Sequence, residues 1–183
     1  MDSVFIAGSR ALSKLNAQVK ERLQNILKRE LTVLVGDANG ADKAVQRYLA
    51  EHRYQNVVVY CMATCRNNAG NWPMRTHTAG SGVQRDRHYY GIKDMAMARD
   101  ASCGFMIWDG ISKGTLTNVL NLVNAEKKVL LYISPKKRFF VIRTCDELDQ
   151  ALSASGVRDA AALLASLGSK TTQSQQGQFI HHS

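Results

Sequence analysis

The sequence predicts a Rossmann-like α/β fold, a doubly wound and mainly parallel sheet of about five strands with a small C-terminal strand–helix appendage. Short runs rich in Val, Ile, Leu and Phe recur along the chain, and segments of helical length with one apolar stripe separate them. Continuous apolar runs are typical of strands buried on both faces, as in a parallel sheet. Strands and helices that alternate with right-handed crossovers give the doubly wound arrangement.

The predicted elements follow one another at short intervals. Core strands are expected at 4–8, 32–36, 57–62, 104–108 and 129–133. Helices are expected at 14–29, with Ser13 as the cap, at 41–52 and at 116–125. After Ser134-Pro135 the pattern predicts an edge strand at 139–142 and short helices at 146–154 and 158–167.

The size of the chain fits a single domain. At 183 residues, of which 45% are hydrophobic, it can bury a core without disulfides or metal ions. We expect a Rossmann-like ligand-binding domain over 1–134 and an appendage of that domain over 135–168. Residues 169–183 have little to bury and are expected to form a flexible tail.

Charge and cysteine content narrow the class of partner. A net charge of +9 favours acidic partners, either a phosphorylated small molecule or a nucleic acid. No apolar stretch approaches the roughly 18 residues of a membrane span, and no signal-like segment precedes the first strand, so a cytoplasmic protein without membrane contact is expected. We interpret the four cysteines as reduced: Cys61, Cys65, Cys103 and Cys145. Cys61 and Cys65 with His77 lack the spacing of a zinc site, so no metal is expected. No cofactor is expected either.

The most informative stretch runs from Asp109 to Thr115, between an apolar strand and a helix. A glycine-containing turn at this place directs backbone N–H groups and the positive end of the helix dipole to one point, which suits a phosphate. We expect the hydroxyl and glycine residues to bind the anion and Lys113 to add charge. The candidate ligand-binding residues here are Asp109, Gly110, Ser112, Lys113, Gly114, Thr115 and Asn118.

Two further glycine-containing turns follow the first and second predicted strands. In the first, glycine admits a ligand close to the backbone and the arginine suits a phosphate; in the second, a carboxylate at the strand end suits ribose hydroxyls. These turns add Gly8, Ser9, Arg10, Gly36, Asp37, Gly40 and Asp42 to the candidate ligand-binding residues. Three such turns on one sheet edge predict a nucleotide site.

Asp109 and Asp37 are the candidate catalytic residues, as general base or nucleophile, if the protein is an enzyme. The long turn-rich segment 63–84 should leave the carboxyl edge of the sheet, and we interpret it as a lid with Trp72 and Arg75 as ligand contacts. Trp108 is expected in the core.

The segments Gly8-Ser9-Arg10, Gly36 to Asp42 and Trp108 to Thr115 together resemble the SLOG superfamily, the Rossmann-like group that includes the LOG phosphoribohydrolases, and above all its YspA-like branch. The resemblance covers residues 3–133 and implies binding of nucleotides or nucleotide-derived ligands at the strand ends. Some members of the superfamily also cleave an N-glycosidic bond, and others only sense the ligand.

The sequence departs from the LOG signature Pro-Gly-Gly-x-Gly-Thr-x-x-Glu. Gly114 and Thr115 fit, but Asp109 replaces the proline and Asn118 replaces the glutamate that supports hydrolysis in that family. An amide does not accept a proton as a carboxylate does. Lys93-Asp94 does not reproduce the family's arginine–lysine pair, and Arg87 or Arg99 are alternatives for phosphate binding.

Three functions therefore stay open. The first is a sensor or ligand-processing module for a nucleotide or an ADP-ribose-like molecule, and the second is an enzyme, a hydrolase or transferase, acting on the N-glycosidic bond of a nucleotide or nucleoside. The third is nucleic-acid binding, as in the related DprA proteins, ranked last because aromatic residues do not interleave with the basic ones. Homo-oligomerisation through Ala96, Met97 or residues 160–165 is open too.

Overall fold

The computed structural model describes residues 2–79, 86–156, 162 and 164–167, and it has the predicted fold class. Its strands are β1 (Ser3–Gly8), β2 (Thr32–Gly36), β3 (Val57–Met62), β4 (Met74–His77), β5 (Cys103–Trp108), β6 (Val129–Ile133) and β7 (Arg138–Ile142). Its α-helices are α1 (Ala17–Lys28), α2 (Ala41–Glu51), α3 (Arg87–Asp100), α4 (Lys113–Asn124) and α5 (Cys145–Ala154). A short 3-10 helix, Ser134–Lys136, joins β6 to β7.

The strands form one sheet with the order β4-β3-β2-β1-β5-β6-β7. All neighbours are parallel except β7, which pairs antiparallel with β6. The chain builds outward from β1 to β4 and then returns to start the other half at β5, beside β1. The carboxyl ends of β1 and β5 therefore flank the topological switch point, where open α/β sheets bind ligands.

Both faces of the sheet are buried, as the continuous apolar runs predict. Phe5 of β1 belongs to the cluster that contains Trp108, on the face covered by α3, α4 and α5. Its neighbour Ile6 belongs to the cluster on the other face, which contains Val19 of α1 and Val45 of α2. Ala96 and Met97 of α3 are buried in the first cluster, so they pack within this chain and do not form an open oligomer surface.

The segment 63–84 differs from the predicted lid. It contains a fourth parallel strand, β4, at the sheet edge, and residues 80–85 lie outside the described residues. Trp72 is buried and its indole N–H donates to the carbonyl of Tyr54 at 2.8 Å. Arg75 binds Asp100 at 2.7 Å. Trp72 is therefore a packing residue and not the predicted ligand contact, whereas Arg75 is an exposed residue engaged in an ion pair.

Two helix starts differ from the prediction. The helix α1 begins at Ala17, because Asn16, and not Ser13, accepts a hydrogen bond from the Val19 N–H at 3.0 Å. The helix α4 begins at Lys113, three residues earlier than the apolar stripe indicates, because Ser112 caps it. Of the predicted helix 158–167, the described residues 162 and 164–167 are helical. The predicted tail 169–183 and residues 160, 161 and 163 lie outside the described residues.

The four cysteines are free thiols. Burial and the neighbouring Cys61 raise the pKa of Cys65 to about 11. Within the described ranges there is no cluster of three or more His, Cys, Asp or Glu residues able to hold a metal ion. No helix in those same ranges has the length and apolar character needed to cross a membrane.

Candidate functional site

A cavity of about 640 Å³ opens at the carboxyl edge of the sheet, at the switch point between β1 and β5. Five segments form its walls: the end of β1, the end of β5, the turn leading into the start of α2, the first half of α3 and the first turns of α4. The lining residues are Ala7, Gly8, Ser9, Arg10, Ala38, Asp42, Asp86, Tyr90, Gly91, Lys93, Asp94, Asp109, Ile111, Ser112, Gly114, Thr115 and Asn118.

Two of the predicted glycines are required by packing between protein segments. A Cβ on Gly8 would collide with the carbonyl oxygen of Ile107 and lie 2.7 Å from the Cβ of Ala41. Gly40 has φ +82°, and a Cβ there would collide with the backbone of Arg10. Packing, and not only the ligand access expected of Gly8, therefore requires glycine at both positions: the two glycines bring the first and second turns together, so that both turns reach one cavity.

Asp109 organises the turn before α4. Its Oδ1 accepts hydrogen bonds from the N–H groups of Ile111 and Ser112, at 3.0 and 2.8 Å. Its Oδ2 accepts from the Ser9 hydroxyl at 2.5 Å, which ties the first turn to the third. Burial acts to raise the pKa of Asp109, but these hydrogen bonds outweigh burial and lower the pKa below its ordinary value. A carboxylate with both oxygens engaged suits a positioning role better than the predicted catalytic one.

The start of α4 faces the same cavity. Ser112 caps the helix, and its hydroxyl oxygen accepts from both the N–H and the hydroxyl of Thr115, at 3.4 and 3.1 Å. Since Asp109 takes the Ser112 N–H, the predicted anion cradle is partly filled from within the protein. None of the described residues accepts from the N–H groups of Lys113 or Gly114. These groups and the helix dipole leave the end of α4 open to an anion.

A buried ammonium group lies at the α3 wall of the cavity. The Nζ of Lys93 is 2.9 Å from Asp94 Oδ1 and 3.9 Å from Asp37 Oδ1, and its side chain is 4% exposed. A Cβ on Gly36 would collide with Asp42 Oδ2 and lie 2.7 Å from this Nζ, so glycine is needed there to let Asp42 and Lys93 approach. Burial acts to lower the pKa of Lys93, but the surrounding carboxylates outweigh burial and raise the pKa.

Asp37 lies behind the cavity wall. Its two oxygens accept from the Arg66 guanidinium at 3.0 and 2.8 Å, and Oδ2 accepts from the Arg66 N–H as well. Burial acts to raise the pKa of Asp37, but Arg66 and Lys93 outweigh burial and lower the pKa. With 1% of its surface exposed, Asp37 holds Arg66 and Lys93 in place, and the structure does not put it where ribose hydroxyls or water would reach it.

Asp42 is the cavity carboxyl with an elevated pKa. Burial raises the pKa of Asp42 to about 6; Lys93 opposes this effect, and Asp94 and Asp37 add to it. Its Oδ2 accepts from the Ala38 N–H at 3.3 Å. A buried carboxyl that titrates near neutral pH beside a cavity is a feature of functional sites.

This pKa makes stability depend on pH. Because the folded-state pKa of about 6 lies above the ordinary 3.8, this carboxyl stabilises the folded protein below pH 4, and that contribution is lost as the pH rises through 6. Because asparagine has no proton to lose, the free energy of unfolding of Asp42→Asn is expected to exceed that of the unmodified protein by about 3 kcal/mol at pH 8. At pH 4 the difference should vanish. Thermal unfolding at both pH values checks this, and equal stabilities at pH 8 would contradict it.

An aromatic ring with two arginines lies at the side of the cavity. The guanidinium carbon of Arg66 is 4.7 Å from the centroid of the Tyr90 ring, and that of Arg10 is 5.5 Å from it. Arg10 is exposed and lines the cavity. One residue further along α3, a Cβ on Gly91 would meet nothing within 4 Å, so this wall of the cavity is left open.

The structure brings most of the predicted ligand-binding residues together. Gly8, Ser9, Arg10, Asp42, Asp109, Ser112, Gly114, Thr115 and Asn118 line the cavity. Gly36, Asp37, Gly40, Gly110 and Lys113 do not line it, although Gly36, Asp37 and Gly40 support residues that do. The convergence of the three turns at one edge was predicted, and the structure has it.

The contribution of α3 was missed. In the sequence, Lys93 and Asp94 stand out only as a departure from a family pattern, yet both line the cavity, with Tyr90 and Gly91. The signal that points to them is a lysine and an aspartate in the middle of a helix that precedes a buried strand. The predicted alternative Arg99 lies at the other end of α3 and pairs with Asp100, and the side chain of Arg87 lies outside the described residues.

No protein-family model matches this sequence, and no curated protein matches it either. The fold and the site define an α/β protein of Rossmann-like architecture with a cavity at the switch point of its sheet.

Proposed function

We propose that this protein binds a nucleotide or a nucleotide-derived ligand, such as an ADP-ribose-like molecule, in the cavity between the ends of β1 and β5. The observation that carries the proposal is the convergence of three turns on one cavity at the topological switch point. Its volume of about 640 Å³ lies within the range of about 300–1,000 Å³ typical of small-molecule sites. The protein would act as a sensor or as a ligand-processing protein.

The anionic part of the ligand fits the side of the cavity formed by Arg10 and α4. The open N–H group of Gly114 and the helix dipole favour a phosphate there, and the exposed Arg10 guanidinium adds a bidentate donor. The position of Asp109 limits this site, because its carboxylate already accepts from two N–H groups of the same turn. A phosphate is therefore expected to bind toward Arg10 and Gly114, away from Asp109.

The resemblance to the SLOG superfamily supports the same proposal. Gly8-Ser9-Arg10 and the turn from Asp109 to Thr115, two of the segments that carry it, contribute residues to the cavity. The segment from Gly36 to Asp42 contributes Ala38 and Asp42. Membership of the YspA-like branch is part of the proposal and would account for ligand binding without the LOG-type glutamate.

Isothermal titration against nucleoside mono- and diphosphates and ADP-ribose tests the proposal. We expect at least one of these ligands to bind with a dissociation constant below about 1 mM, the affinity equivalent to roughly 4 kcal/mol. Arg10→Ala should weaken that binding about tenfold through loss of the phosphate contact. No affinity tighter than millimolar for any ligand of the panel would overturn the proposal.

Filling the open wall of the cavity gives a second test. Gly91→Leu is expected to weaken ligand binding at least tenfold while stabilising α3 by about 0.5–1 kcal/mol, since leucine favours helix over glycine and its Cβ meets no atom. Titration and thermal unfolding check the two effects. Met95→Leu, on the exposed side of the same helix, is the control and should change neither. Unchanged affinity in Gly91→Leu would place the ligand elsewhere.

A nucleotide N-glycosidase is the alternative, and the raised pKa of Asp42 favours it. This carboxyl lines the cavity and would donate a proton to a leaving base near pH 6. Chromatography after long incubation with nucleoside monophosphates decides the point. Release of the free base that is lost in Asp42→Asn would support the N-glycosidase. Unchanged substrate would exclude the N-glycosidase and leave ligand binding as the proposed function.

A further inference from the structure

Among the carboxylates of the cavity, Asp94 has the environment of a hydrogen-bond acceptor for a ligand. The Lys93 ammonium group is 2.9 Å from Asp94 Oδ1. The Asp94 side chain is 25% exposed, and it lines the cavity. The contact that the described residues give its Oδ2 is the Asn118 amide, at 3.5 Å. That distance is at the limit of a hydrogen bond, and a carboxylate has about four acceptor positions. Asp94 is therefore fixed in place with acceptor capacity left over.

The other three carboxylates of the cavity differ from Asp94. Asp109 accepts three hydrogen bonds from Ser9, Ile111 and Ser112. Asp42 is almost fully buried, and its Oδ2 accepts from Ala38. Asp86 is exposed and caps α3 through its Oδ1, which accepts from the Tyr89 N–H. Asp94 alone of these four combines a fixed position, partial exposure and an oxygen without a close partner.

The charge of the cavity indicates what Asp94 would bind. Four carboxylates and two cations, Arg10 and Lys93, line the cavity, so its wall has an excess of negative charge although the chain as a whole is basic. Asp42 of α2 and Asp94 of α3 both lie beside Lys93, so two of the four carboxylates cluster around one buried cation. This cluster disfavours a second phosphate and favours a group that donates hydrogen bonds.

We propose that Asp94, positioned by Lys93, accepts hydrogen bonds from the two neighbouring hydroxyls of a ribose and makes the cavity select ribonucleotides over 2′-deoxyribonucleotides. This inference rests on the proposed function. A fixed carboxylate accepts from two adjacent hydroxyls, and removing one hydroxyl takes one hydrogen bond from a carboxylate that the bound ligand has desolvated. The role that the sequence assigned to Asp37 thus passes to Asp94, because Arg66 covers Asp37.

The arrangement orients the ligand. With the ribose on Asp94, the 5′-phosphate is expected to bind toward Arg10 and the open N–H group of Gly114, which line the same cavity. Lys93 is a positioning residue: it holds Asp94 by an ion pair and is itself 96% covered, so it does not reach a phosphate.

Titration of the adenosine, guanosine and cytidine 5′-monophosphates and of their 2′-deoxy counterparts tests the inference. We expect at least one ribonucleotide to bind about tenfold tighter than its deoxy form, the effect of one hydrogen bond to a charged group. Asp94→Asn should weaken that ribonucleotide about tenfold, leave the deoxy form within about threefold and reduce the ratio between them toward one. Asp149→Asn, an exposed aspartate of α5, is the matched control and should keep the ratio of the unmodified protein.

The outcomes separate the two proposals. Binding of both sugars with equal affinity would overturn the inference and leave the proposed function standing. Retention of the ratio in Asp94→Asn would overturn the role of Asp94. If none of the six nucleotides binds, the inference fails, and the wider panel with diphosphates and ADP-ribose judges the proposed function separately. Should Asp94→Asn fail to fold, Asp94→Glu, which moves the carboxylate by one methylene, is expected to lower the ratio, and an unchanged ratio would overturn the inference.

Discussion

Lys93→Met is expected to lower the free energy of unfolding by about 4 kcal/mol at pH 7.5, because it removes the cation from a buried group of carboxylates. The ammonium group is 2.9 Å from Asp94 and 3.9 Å from Asp37, and it is the cation that lowers the pKa of Asp42 against the effect of burial. Without it, at least one carboxylate has to remain charged and unpaired or take up a proton on folding.

The pH dependence of this variant follows from the same charges. Loss of Lys93 raises the folded-state pKa of the neighbouring carboxyls, so the stability that remains is present at low pH and is lost as the pH rises. The deficit relative to the unmodified protein should therefore shrink at pH 5. Urea denaturation at pH 5 and pH 7.5 measures both values. Lys20→Met, at an exposed position of α1, is the control and should stay within about 0.5 kcal/mol. A deficit below about 1 kcal/mol at pH 7.5 would show that solvent reaches the carboxylates.

Gly40→Ala is expected to destabilise the protein by about 3 kcal/mol, through backbone strain and overpacking together. At φ +82° an L-residue is strained, and the new Cβ would collide with the carbonyl and Cα of Arg10. Since Arg10 follows the end of β1, the variant should also push the first turn away from the cavity. Thermal unfolding and nucleotide titration measure the two consequences.

Gly91→Ala is the matched control for Gly40→Ala. Its φ lies in the helix, and its Cβ would meet nothing within 4 Å, so it should stabilise α3 by about 0.5–1 kcal/mol. The opposite signs of the two glycine variants separate a glycine required by packing from one that leaves space at a cavity. Destabilisation of similar size in both variants would contradict the presence of free space beside Gly91.

Much of the architecture follows from local sequence. The run Val4 to Gly8 is apolar without alternation, and the same holds for 32–36 and 57–62, so these strands were placed within one residue of their observed bounds. The strand β4 was not predicted, because Met-Arg-Thr-His has no apolar pattern and exists as a strand only through pairing with β3. The helix α3 gave no clear stripe, since Lys93 lies on its buried side.

The sequence by itself determined the parallel α/β class and the meeting of three glycine-containing turns at one edge of the sheet. These depend on the period of apolar residues and on turn chemistry, which are local properties of the chain. Only the tertiary structure decided which polar residues face the cavity. Asp37 and Asp94 are both aspartates near the cavity. Arg66, from a loop distant in sequence, pairs with Asp37 and covers it, whereas Lys93 pairs with one oxygen of Asp94 and leaves that side chain partly exposed. Burial and ion pairing depend on residues far apart in sequence, and the fold alone brings them together.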